Sequence, residues 1–226
     1  MNIAILLAAG QSRRFKQNKI FSLLNQKPLL DYSLSVFLQF SEIQQIIIVI
    51  NSKDIERPFL KKLPNNVSII PGGETRMLSA EIALEYANLN DDDIVFIHDA
   101  ARPLITLGLL TQLSNAVHEV GAAVCGMPVK NTIIECIEHK PFLRTLAREK
   151  LIEIYSPFAA KWKLIKKARN RAKREGYLNY PGFEDTCLFI TDDMEVKIIC
   201  DGYHNIKITT PEDLVFVSQL LKNYES

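Results

Sequence analysis

The sequence is poor in the features that define several common protein classes. It has four cysteines among 226 residues, and no two of them form a Cys-x-x-Cys pair. Disulfide frameworks and zinc sites both use regularly spaced cysteines, so the sequence predicts neither. We instead expect reduced thiols, mostly packed in apolar runs, at Cys125, Cys136, Cys187 and Cys200.

A strong net charge and a long apolar segment are also missing. The 27 Lys and Arg residues are balanced by 26 Asp and Glu, so the net charge of +1 does not favour nucleic acid or an anionic membrane. The N-terminal apolar stretch is too short to span a bilayer and has no basic region before it. We therefore expect a cytoplasmic protein with no membrane or nucleic-acid partner, and we interpret the basic segment 160–176 as a solvated helix.

Short apolar runs alternate with helical patterns along most of the chain. The runs are residues 3–7, 46–50, 67–70, 94–97, 122–124 and 196–199, and helical patterns occupy 28–40, 76–87 and 106–120. Strands buried on both faces lose the polar alternation of half-exposed strands. The pattern therefore predicts an α/β fold with a mainly parallel sheet between helices, in a single domain covering residues 1–226.

This rhythm changes between residues 129 and 150. The segment has the pattern of two short strands around a turn at 139–141, which is too little structure to fold alone. Ile133, Ile134, Phe142 and Leu143 would form an exposed apolar patch unless another surface covered them. We therefore expect a projecting β-arm that packs on a second subunit.

The first chemical motif follows the N-terminal apolar run. Ala8, Ala9 and Gly10 have little or no side chain, so their backbone amides can approach phosphate oxygens closely. Arg14 and Lys19 then supply the positive charge that a polyphosphate requires. The spacing matches neither G-x-G-x-x-G nor G-x-x-x-x-G-K-[ST]. An ordinary strand-to-helix turn with a basic surface explains it equally well, and both interpretations stay open.

A second motif, His98-Asp99-Ala100-Ala101-Arg102-Pro103, follows the run at 94–97. Ligands gather at the carboxyl ends of parallel strands, where Asp99 would suit a divalent cation and Arg102 a phosphate. The alternative is a capping aspartate before a helix that starts at Pro103. His98 is interpreted as an orienting or packed imidazole, because phosphoryl transfer depends on positioning and charge more than on proton abstraction.

A third motif lies near the C-terminus. Thr209 or Thr210 can cap a helix that begins with Pro211. Capping does not explain Lys207, a cation within an otherwise apolar, strand-like run. We therefore treat Lys207 as a candidate functional residue.

Five motifs occur in the order in which one enzyme family carries them. They are Ala8-Ala9-Gly10 with its following arginines, Gly72-Gly73-Glu74-Thr75-Arg76 with Ser79, the 98–103 motif, Pro128-Val129-Lys130-Asn131-Thr132 and Asn205-Ile206-Lys207-Ile208-Thr209. Over nearly the whole chain, they resemble the 2-C-methyl-D-erythritol 4-phosphate cytidylyltransferase family of the non-mevalonate isoprenoid pathway. The resemblance implies a Rossmann-like nucleotidyltransferase fold, a β-arm that forms a homodimer, CTP and a polyol phosphate as substrates, and Mg²⁺ as cofactor.

The resemblance also implies roles for individual residues. Nucleotide binding falls to Ala8, Ala9, Gly10, Gly73, Glu74, Ser79 and Asp99. The resemblance places Asp99 next to the metal, and the charge of two anionic substrates leads us to expect Arg14, Lys19 and Lys207 as catalytic cations. The acceptor phosphate is bound by Arg102, Thr132, Arg148, Ser156 and Lys207, with Thr132 and Arg148 reaching the pocket of the partner subunit.

Three stretches depart from the family's pattern. Pro-Lys-Gln-Tyr is replaced by Asn18-Lys19-Ile20-Phe21, with its lysine earlier in the chain; Thr-Pro-Gln becomes Ser156-Pro157-Phe158; and the Thr-Asp-Asp/Glu-Ala-Ser stretch becomes Phe183-Glu184-Asp185-Thr186-Cys187. Two alternatives therefore stay open. One is a cytidylyltransferase for another polyol phosphate such as ribitol 5-phosphate, and the other is a catalytically silent nucleotide-binding module.

Overall fold

A computed structural model describes residues 1–10, 15, 18–136, 144–176 and 194–225. Its strands are β1 (Asn2–Ala8), β2 (Leu23–Leu24), β3 (Lys27–Pro28), β4 (Gln45–Ile50), β5 (Val67–Pro71), β6 (Ile94–Asp99), β7 (Ala122–Pro128), β8 (Ile134–Glu135), β9 (Arg144–Thr145), β10 (Ile152–Lys161) and β11 (Lys197–Ile199). Its helices are α1 (Leu29–Gln39), α2 (Arg76–Tyr86), α3 (Leu107–Val120), α4 (Trp162–Glu175) and α5 (Pro211–Glu225).

Seven strands form one sheet in the order β11-β7-β10-β6-β1-β4-β5. The pairs β1–β4, β1–β6, β4–β5 and β7–β11 are parallel, whereas β10 runs antiparallel to both β6 and β7. Parallel neighbours require crossover connections: α1 lies in the connection from β1 to β4, and two 3-10 turns lie in the connection from β4 to β5. The predicted α/β fold with a mainly parallel sheet is confirmed.

Both faces of this sheet are buried because successive side chains of a strand point to opposite faces. Along β1, Ala4 and Leu6 join a core cluster with residues of α1 and α3. Ile3 and Ile5 join a second cluster with residues of α2 and α4. All four side chains are 0% exposed. This two-sided burial is the reason for the uninterrupted apolar runs in the sequence.

Each of the six predicted runs overlaps a strand, but the central strand β10 has no counterpart among them. Its apolar pattern is interrupted by Glu153, Ser156 and Pro157. The pairing register with β7 shifts between Tyr155 and Phe158, so the proline, which has no N–H to donate, lies where the ladder is already irregular. The sequence pattern therefore missed β10, the strand that joins β7 and β11 to the rest of the sheet.

The segment before α5 is not a strand, contrary to the prediction. Its backbone is tied to the 98–103 motif, in which Ala101 O accepts from Ile208 N at 2.8 Å. The predicted helix start at Pro211 is confirmed, and the Asp213 carboxylate accepts from the backbone N–H groups of Thr209 and Thr210 at 2.7 and 2.9 Å. This capping anchors the end of the Lys207 segment.

The predicted β-arm contains a short antiparallel ladder, with Ile134 opposite Thr145 and Glu135 opposite Arg144. Ile133 and Ile134 are 36% and 46% exposed. The predicted turn at 139–141, Phe142 and Leu143 lie outside the described residues. Among the described residues of the arm, these two apolar side chains are thus partly exposed to solvent.

Three cations of the basic helix α4 pair with acidic neighbours. Lys163 Nζ lies 2.8 Å from Asp92 Oδ1, and Arg169 Nη2 lies 3.2 Å from Glu81 Oε2. Lys166 pairs with Asp91. These pairs support the interpretation of α4 as a solvated helix.

The cysteines differ in burial. Cys125 is a buried free thiol, but Cys136 and Cys200 are exposed, so the expectation of packing is wrong for these two. Cys136 follows the first strand of the arm and Cys200 follows the sheet-edge strand β11, where little covers them. Cys187 lies outside the described residues. Across the described ranges, none of the helices is both long and apolar enough to cross a membrane.

Candidate active site

A cleft of about 260 Å³ opens where β1 and β6 end, at the carboxyl edge of the sheet. It brings together residues that are far apart in sequence. Its lining is Leu7, Ala8, Ala9, Gly10, Lys19, Ile20, Gly73, Glu74, Thr75, Arg76, Ser79, Asp99, Ala101, Lys207 and Thr209. Every predicted nucleotide-binding residue lines this cleft. So do the predicted catalytic residues Lys19 and Lys207, while Arg14 lies outside the described residues.

Two glycine-containing loops, the first at residues 8–10 and the second at residues 72–75, form adjacent walls of this cleft, which we call the nucleotide cleft. A Cβ atom on Gly72 would lie 2.4 Å from the Ala9 Cβ atom and 2.9 Å from Ser79 Oγ, so only glycine allows the loops to approach this closely. Gly73 N donates to Ser79 Oγ at 3.1 Å, and the Ser79 hydroxyl donates to Thr75 O at 2.9 Å. Ser79 therefore holds the shape of the 72–75 loop.

Asp99 is the electrostatic centre of the nucleotide cleft. Its carboxylate is 2.9 Å from Arg76 Nε, 2.7 Å from Lys207 Nζ and 3.8 Å from Arg102 Nε. Burial by itself would raise the pKa of Asp99, but the charges of Arg76 and Lys207 hold that pKa well below its usual range. The ionised carboxylate thus keeps three cations together at one edge of the sheet.

A second cleft, also of about 260 Å³, lies on the other side of Lys207. Its lining is Arg102, Met127, Glu153, Tyr155, Gly202, Tyr203, Asn205, Ile206 and Lys207. Arg102 is fixed at its wall, because its Nη1 donates to Asn205 O at 2.7 Å and its guanidinium lies 5.1 Å from the centre of the Tyr155 ring. Lys207 lines both clefts and therefore marks their boundary.

Ser156 lies behind these clefts and lines neither of them. It is 3% exposed, and its hydroxyl accepts a hydrogen bond from Asp99 N at 2.9 Å. Its backbone oxygen accepts from Asn205 Nδ2 at 3.0 Å. The structure therefore places Ser156 as a support for Asp99, and its predicted contact with substrate stays a prediction.

His98 is buried directly before Asp99 and does not line either cleft. Burial lowers its pKa to about 4, so the imidazole is neutral at neutral pH. Its Nε2 lies 3.0 Å from Arg102 O, an atom that can only accept, so Nε2 carries the proton and donates. This geometry supports the interpretation of His98 as an orienting imidazole.

Lys19 reaches the nucleotide cleft despite its earlier position in the chain. It begins the 3-10 turn Lys19–Phe21, whose Ile20 is 2% exposed and packs in the core cluster of β1 and α1. Its Nζ donates to Ile208 O at 2.8 Å. The turn after the first loop and the segment before α5 therefore meet at this lysine.

The two predicted arm residues are not part of either cleft. Thr132 and Arg148 are both exposed, and Arg148 Nη1 donates to Lys130 O at 2.7 Å. Neither lines the nucleotide cleft or the second cleft of its own chain. The fold thus separates them from Lys207, with which they were predicted to act.

Arg76, Tyr155 and Asn205 are site residues that were not assigned roles from the sequence. Arg76 carried a signal, because a cation at the first residue of a helix is opposed by the positive end of the helix dipole. Its pairing with Asp99 compensates for that placement. Tyr155 and Asn205 carried no comparable signal, since their positions depend on β10 and on a contact between distant segments.

The described ranges contain no group of three or more His, Cys, Asp or Glu side chains that could hold a metal ion by themselves. Asp99 and Glu74 are the carboxylates that line the nucleotide cleft. Magnesium commonly uses one or two protein carboxylates together with substrate phosphates. The donor set therefore fits an ion that is held mainly by phosphates.

The fold and the clefts define a class of protein: an α/β enzyme that binds a nucleotide at the carboxyl edge of a mainly parallel sheet. The family model described as IspD, 2-C-methyl-D-erythritol 4-phosphate cytidylyltransferase, matches residues 2–223. The chain belongs to this family and is a nucleotidyltransferase.

Named relatives and solved structures agree with this assignment. The 2-C-methyl-D-erythritol 4-phosphate cytidylyltransferases of Caldanaerobacter subterraneus and Dehalococcoides mccartyi are 36% and 37% identical, over 98% and 97% of this chain and 100% and 95% of theirs. The crystal structure of 4-diphosphocytidyl-2C-methyl-D-erythritol synthase from Anaerococcus prevotii matches with a TM-score of 0.80 and 28% identity, covering 98% of this chain and 96% of that chain. The Rossmann-like nucleotidyltransferase fold is thereby confirmed.

Proposed function

We propose that this chain transfers the cytidylyl group of CTP to 2-C-methyl-D-erythritol 4-phosphate and releases pyrophosphate, a step of isoprenoid precursor synthesis. Membership of the family supports this reaction. The observation that carries it is the junction of two clefts at Lys207, beside the ionised Asp99. A transfer reaction between two anionic substrates requires adjacent sites with cations at their boundary.

The chemistry follows from charge. An oxygen of the acceptor phosphate attacks the α-phosphorus of CTP, and the bond from that phosphorus to the bridging oxygen of pyrophosphate breaks. A phosphate is already ionised at neutral pH, so no general base is required. Lys19 and Lys207, with Arg14, offset the repulsion between the reactants and stabilise the charge that develops in the transition state.

The nucleotide cleft suits a pyrimidine nucleotide. The backbone at Ala8, Ala9 and Gly10 is open to the triphosphate, and Gly73 and Glu74 lie on the wall assigned to the base. At Gly72 the 72–75 loop approaches the first loop closely, which brings backbone groups near this wall. We therefore propose a preference for CTP over purine nucleotides.

We assign the contact with Mg²⁺ to Asp99. Arg76 and Lys207 already neutralise this carboxylate. It can therefore hold a dication only when the negative charge of the triphosphate lies beside it. When bound, the ion neutralises phosphate oxygens and polarises the α-phosphate. Arg76 and Lys207 remain available to pair with phosphates, because each donates through several N–H groups.

The arm leads to a proposed homodimer. Thr132 and Arg148 are exposed, and the neighbouring Ile133 and Ile134 are partly exposed. Pairing the arm with a second copy would bury the isoleucines and bring Thr132 and Arg148 to the partner's second cleft. We treat residues 1–226 as one nucleotidyltransferase domain with this arm at about 129–150, acting in the cytoplasm.

Pyrophosphate release measured with CTP and a panel of polyol phosphates tests the reaction. We expect turnover with 2-C-methyl-D-erythritol 4-phosphate and much lower rates when ATP or GTP replaces CTP. Faster turnover of ribitol 5-phosphate would overturn the assigned acceptor. CTP binding without turnover of any acceptor would identify a silent nucleotide-binding module instead.

A further inference from the structure

A second buried carboxylate lies outside both clefts, where neither substrate would touch it. Asp54 ends the 3-10 turn Ser52–Asp54 that follows β4, and it is 3% exposed. It lines neither the nucleotide cleft nor the second cleft. A carboxylate removed from water is costly unless donors compensate it, so its partners indicate what it holds together.

The two oxygens of Asp54 bind groups from two segments. Arg57 Nε donates to Oδ1 at 2.7 Å, and Asn18 Nδ2 donates to Oδ2. The Arg57 guanidinium also lies over the Phe21 ring, with its Cζ atom 4.1 Å from the ring centre. Asp54 and Arg57 therefore hold both ends of the segment 18–21 against the loop that follows β4. We call these two residues the Asp54 clamp.

The segment held by the Asp54 clamp is the one that carries Lys19. With its Nδ2 directed to Asp54, Asn18 presents Oδ1 to the backbone N–H of Ile20 at 3.3 Å and so caps the turn Lys19–Phe21. On the other side of the turn, Lys19 Nζ reaches Ile208 O at 2.8 Å, at the wall of the nucleotide cleft. The clamp and the catalytic amine are thus connected through one capped turn.

We propose that Asp54 is a positioning residue that acts through Asn18 to fix the backbone of Lys19 in the nucleotide cleft. This rests on the proposed function, in which Lys19 stabilises the charge of the triphosphate. A lysine side chain is flexible, so the place of its Cα atom decides which atoms its amine can reach. A misplacement of about 1 Å at a catalytic group can lower a rate by about 10²-fold.

A double-mutant cycle tests this assignment. Asp54→Asn preserves the size of the side chain but removes its charge and replaces one acceptor oxygen with a donor. We expect it to lower kcat about 10-fold, with the KM for the acceptor unchanged, whereas Lys19→Ala lowers kcat about 10²-fold or more. In the double variant, Asp54→Asn should cause no further loss, because the amine that it positions is gone.

Two further variants complete the experiment. Asp31→Asn is the matched control, since Asp31 is a half-buried carboxylate that pairs with Lys27 at 3.3 Å in the first turn of α1, and it should leave turnover unchanged. Asn18→Ala cuts the same connection from its other end, and it should reproduce both the loss and the coupling even if Asp54→Asn does not fold. Thermal unfolding of each variant verifies folding.

The outcomes separate this inference from the proposed function. Full turnover of Lys19→Ala would overturn the role of Lys19 and the positioning role together. If Lys19→Ala loses turnover but Asp54→Asn and Asn18→Ala have no effect, the positioning role alone is wrong. The positioning role alone is also wrong if the losses of Asp54→Asn and Asn18→Ala multiply with the loss of Lys19→Ala. A general structural defect would lower turnover independently of Lys19 and would give such multiplied losses.

Discussion

The nucleotide cleft and the β-arm both carry residues predicted for one site, but the two regions differ in burial and in how their charges are paired. In the cleft, Asp99 is 6% exposed and its carboxylate contacts Arg76 and Lys207 at 2.9 and 2.7 Å. On the arm, Thr132 and Arg148 are exposed. A buried charge must be compensated by its neighbours, whereas an exposed charge is hydrated. The cleft is thus assembled within one chain, and the arm presents its residues outwards.

This contrast divides the site into two parts with different requirements. The charges of the cleft have their geometry before substrate arrives, because Asp99 holds the cations in place. The arm residues have no such arrangement around a phosphate within their own chain. Their predicted function therefore depends on a second copy, whereas that of Lys207 depends on the fold of one chain.

The largest expected effect comes from the cleft itself. Lys207→Ala removes the cation shared by both clefts and leaves Asp99 with fewer compensating charges, so we expect turnover to fall by about 10²-fold or more. Lys197→Ala is the control, because this lysine lies exposed on the edge strand β11, where it pairs with Glu119 of α3. Pyrophosphate release measures both. Turnover of Lys207→Ala within about threefold of the wild type would contradict the catalytic role of Lys207 in the cleft.

The next effect concerns the buried imidazole of His98, which precedes Asp99 in the chain. The pKa of His98 is lowered from 6.5 to about 4, so between these values the unfolded chain binds more protons than the folded one. This contribution to stability is fully present above pH 6.5 and is lost as the pH falls towards 4. The shift predicts a loss of about 2 kcal/mol between pH 7 and pH 5.

Urea unfolding at the two pH values measures this loss. In His98→Gln, which keeps a donor for Arg102 O, the difference between pH 7 and pH 5 should shrink by about that amount. His118→Gln is the control, because His118 is exposed near the end of α3. An unchanged pH dependence in His98→Gln would show that the buried imidazole does not govern it.

The smallest effect tests the arm. If each site combines Lys207 of one chain with Arg148 of the other, mixing Arg148→Ala with Lys207→Ala protein produces heterodimers with one intact site. Random exchange makes about half of the dimers mixed, so activity should recover to about a quarter of the wild-type value. Mixing Lys207→Ala with Asp99→Asn protein should restore no activity. Lys207 and Asp99 belong to the cleft of one chain, so every cleft of the mixed dimer carries one of the two changes. The shared site is excluded if verified exchange gives no recovery.

Much of the fold could be predicted from local pattern. The apolar runs of β1, β4 and β6 are continuous because both faces of the sheet are covered, and the start of α5 is encoded by Pro211. The two-stranded arm was also evident from the change of rhythm. The strand β10 was not, because Glu153, Ser156 and Pro157 break its pattern and its pairing depends on distant partners.

Part of the nucleotide cleft was predicted from local motifs, namely Ala8, Ala9 and Gly10 with Lys19, Asp99 and Lys207, whereas Gly73, Glu74 and Ser79 were assigned through the resemblance to the family. The sequence by itself thus determined which residue types meet at the carboxyl edge of the sheet. Only the tertiary structure decided how they are held: Asp99 binds Arg76, Lys207 and Arg102, and the turn of Lys19 is bound to the Asp54 clamp. Such contacts join segments far apart in the chain, and no local periodicity encodes them, because their energy depends on burial that arises only in the complete fold.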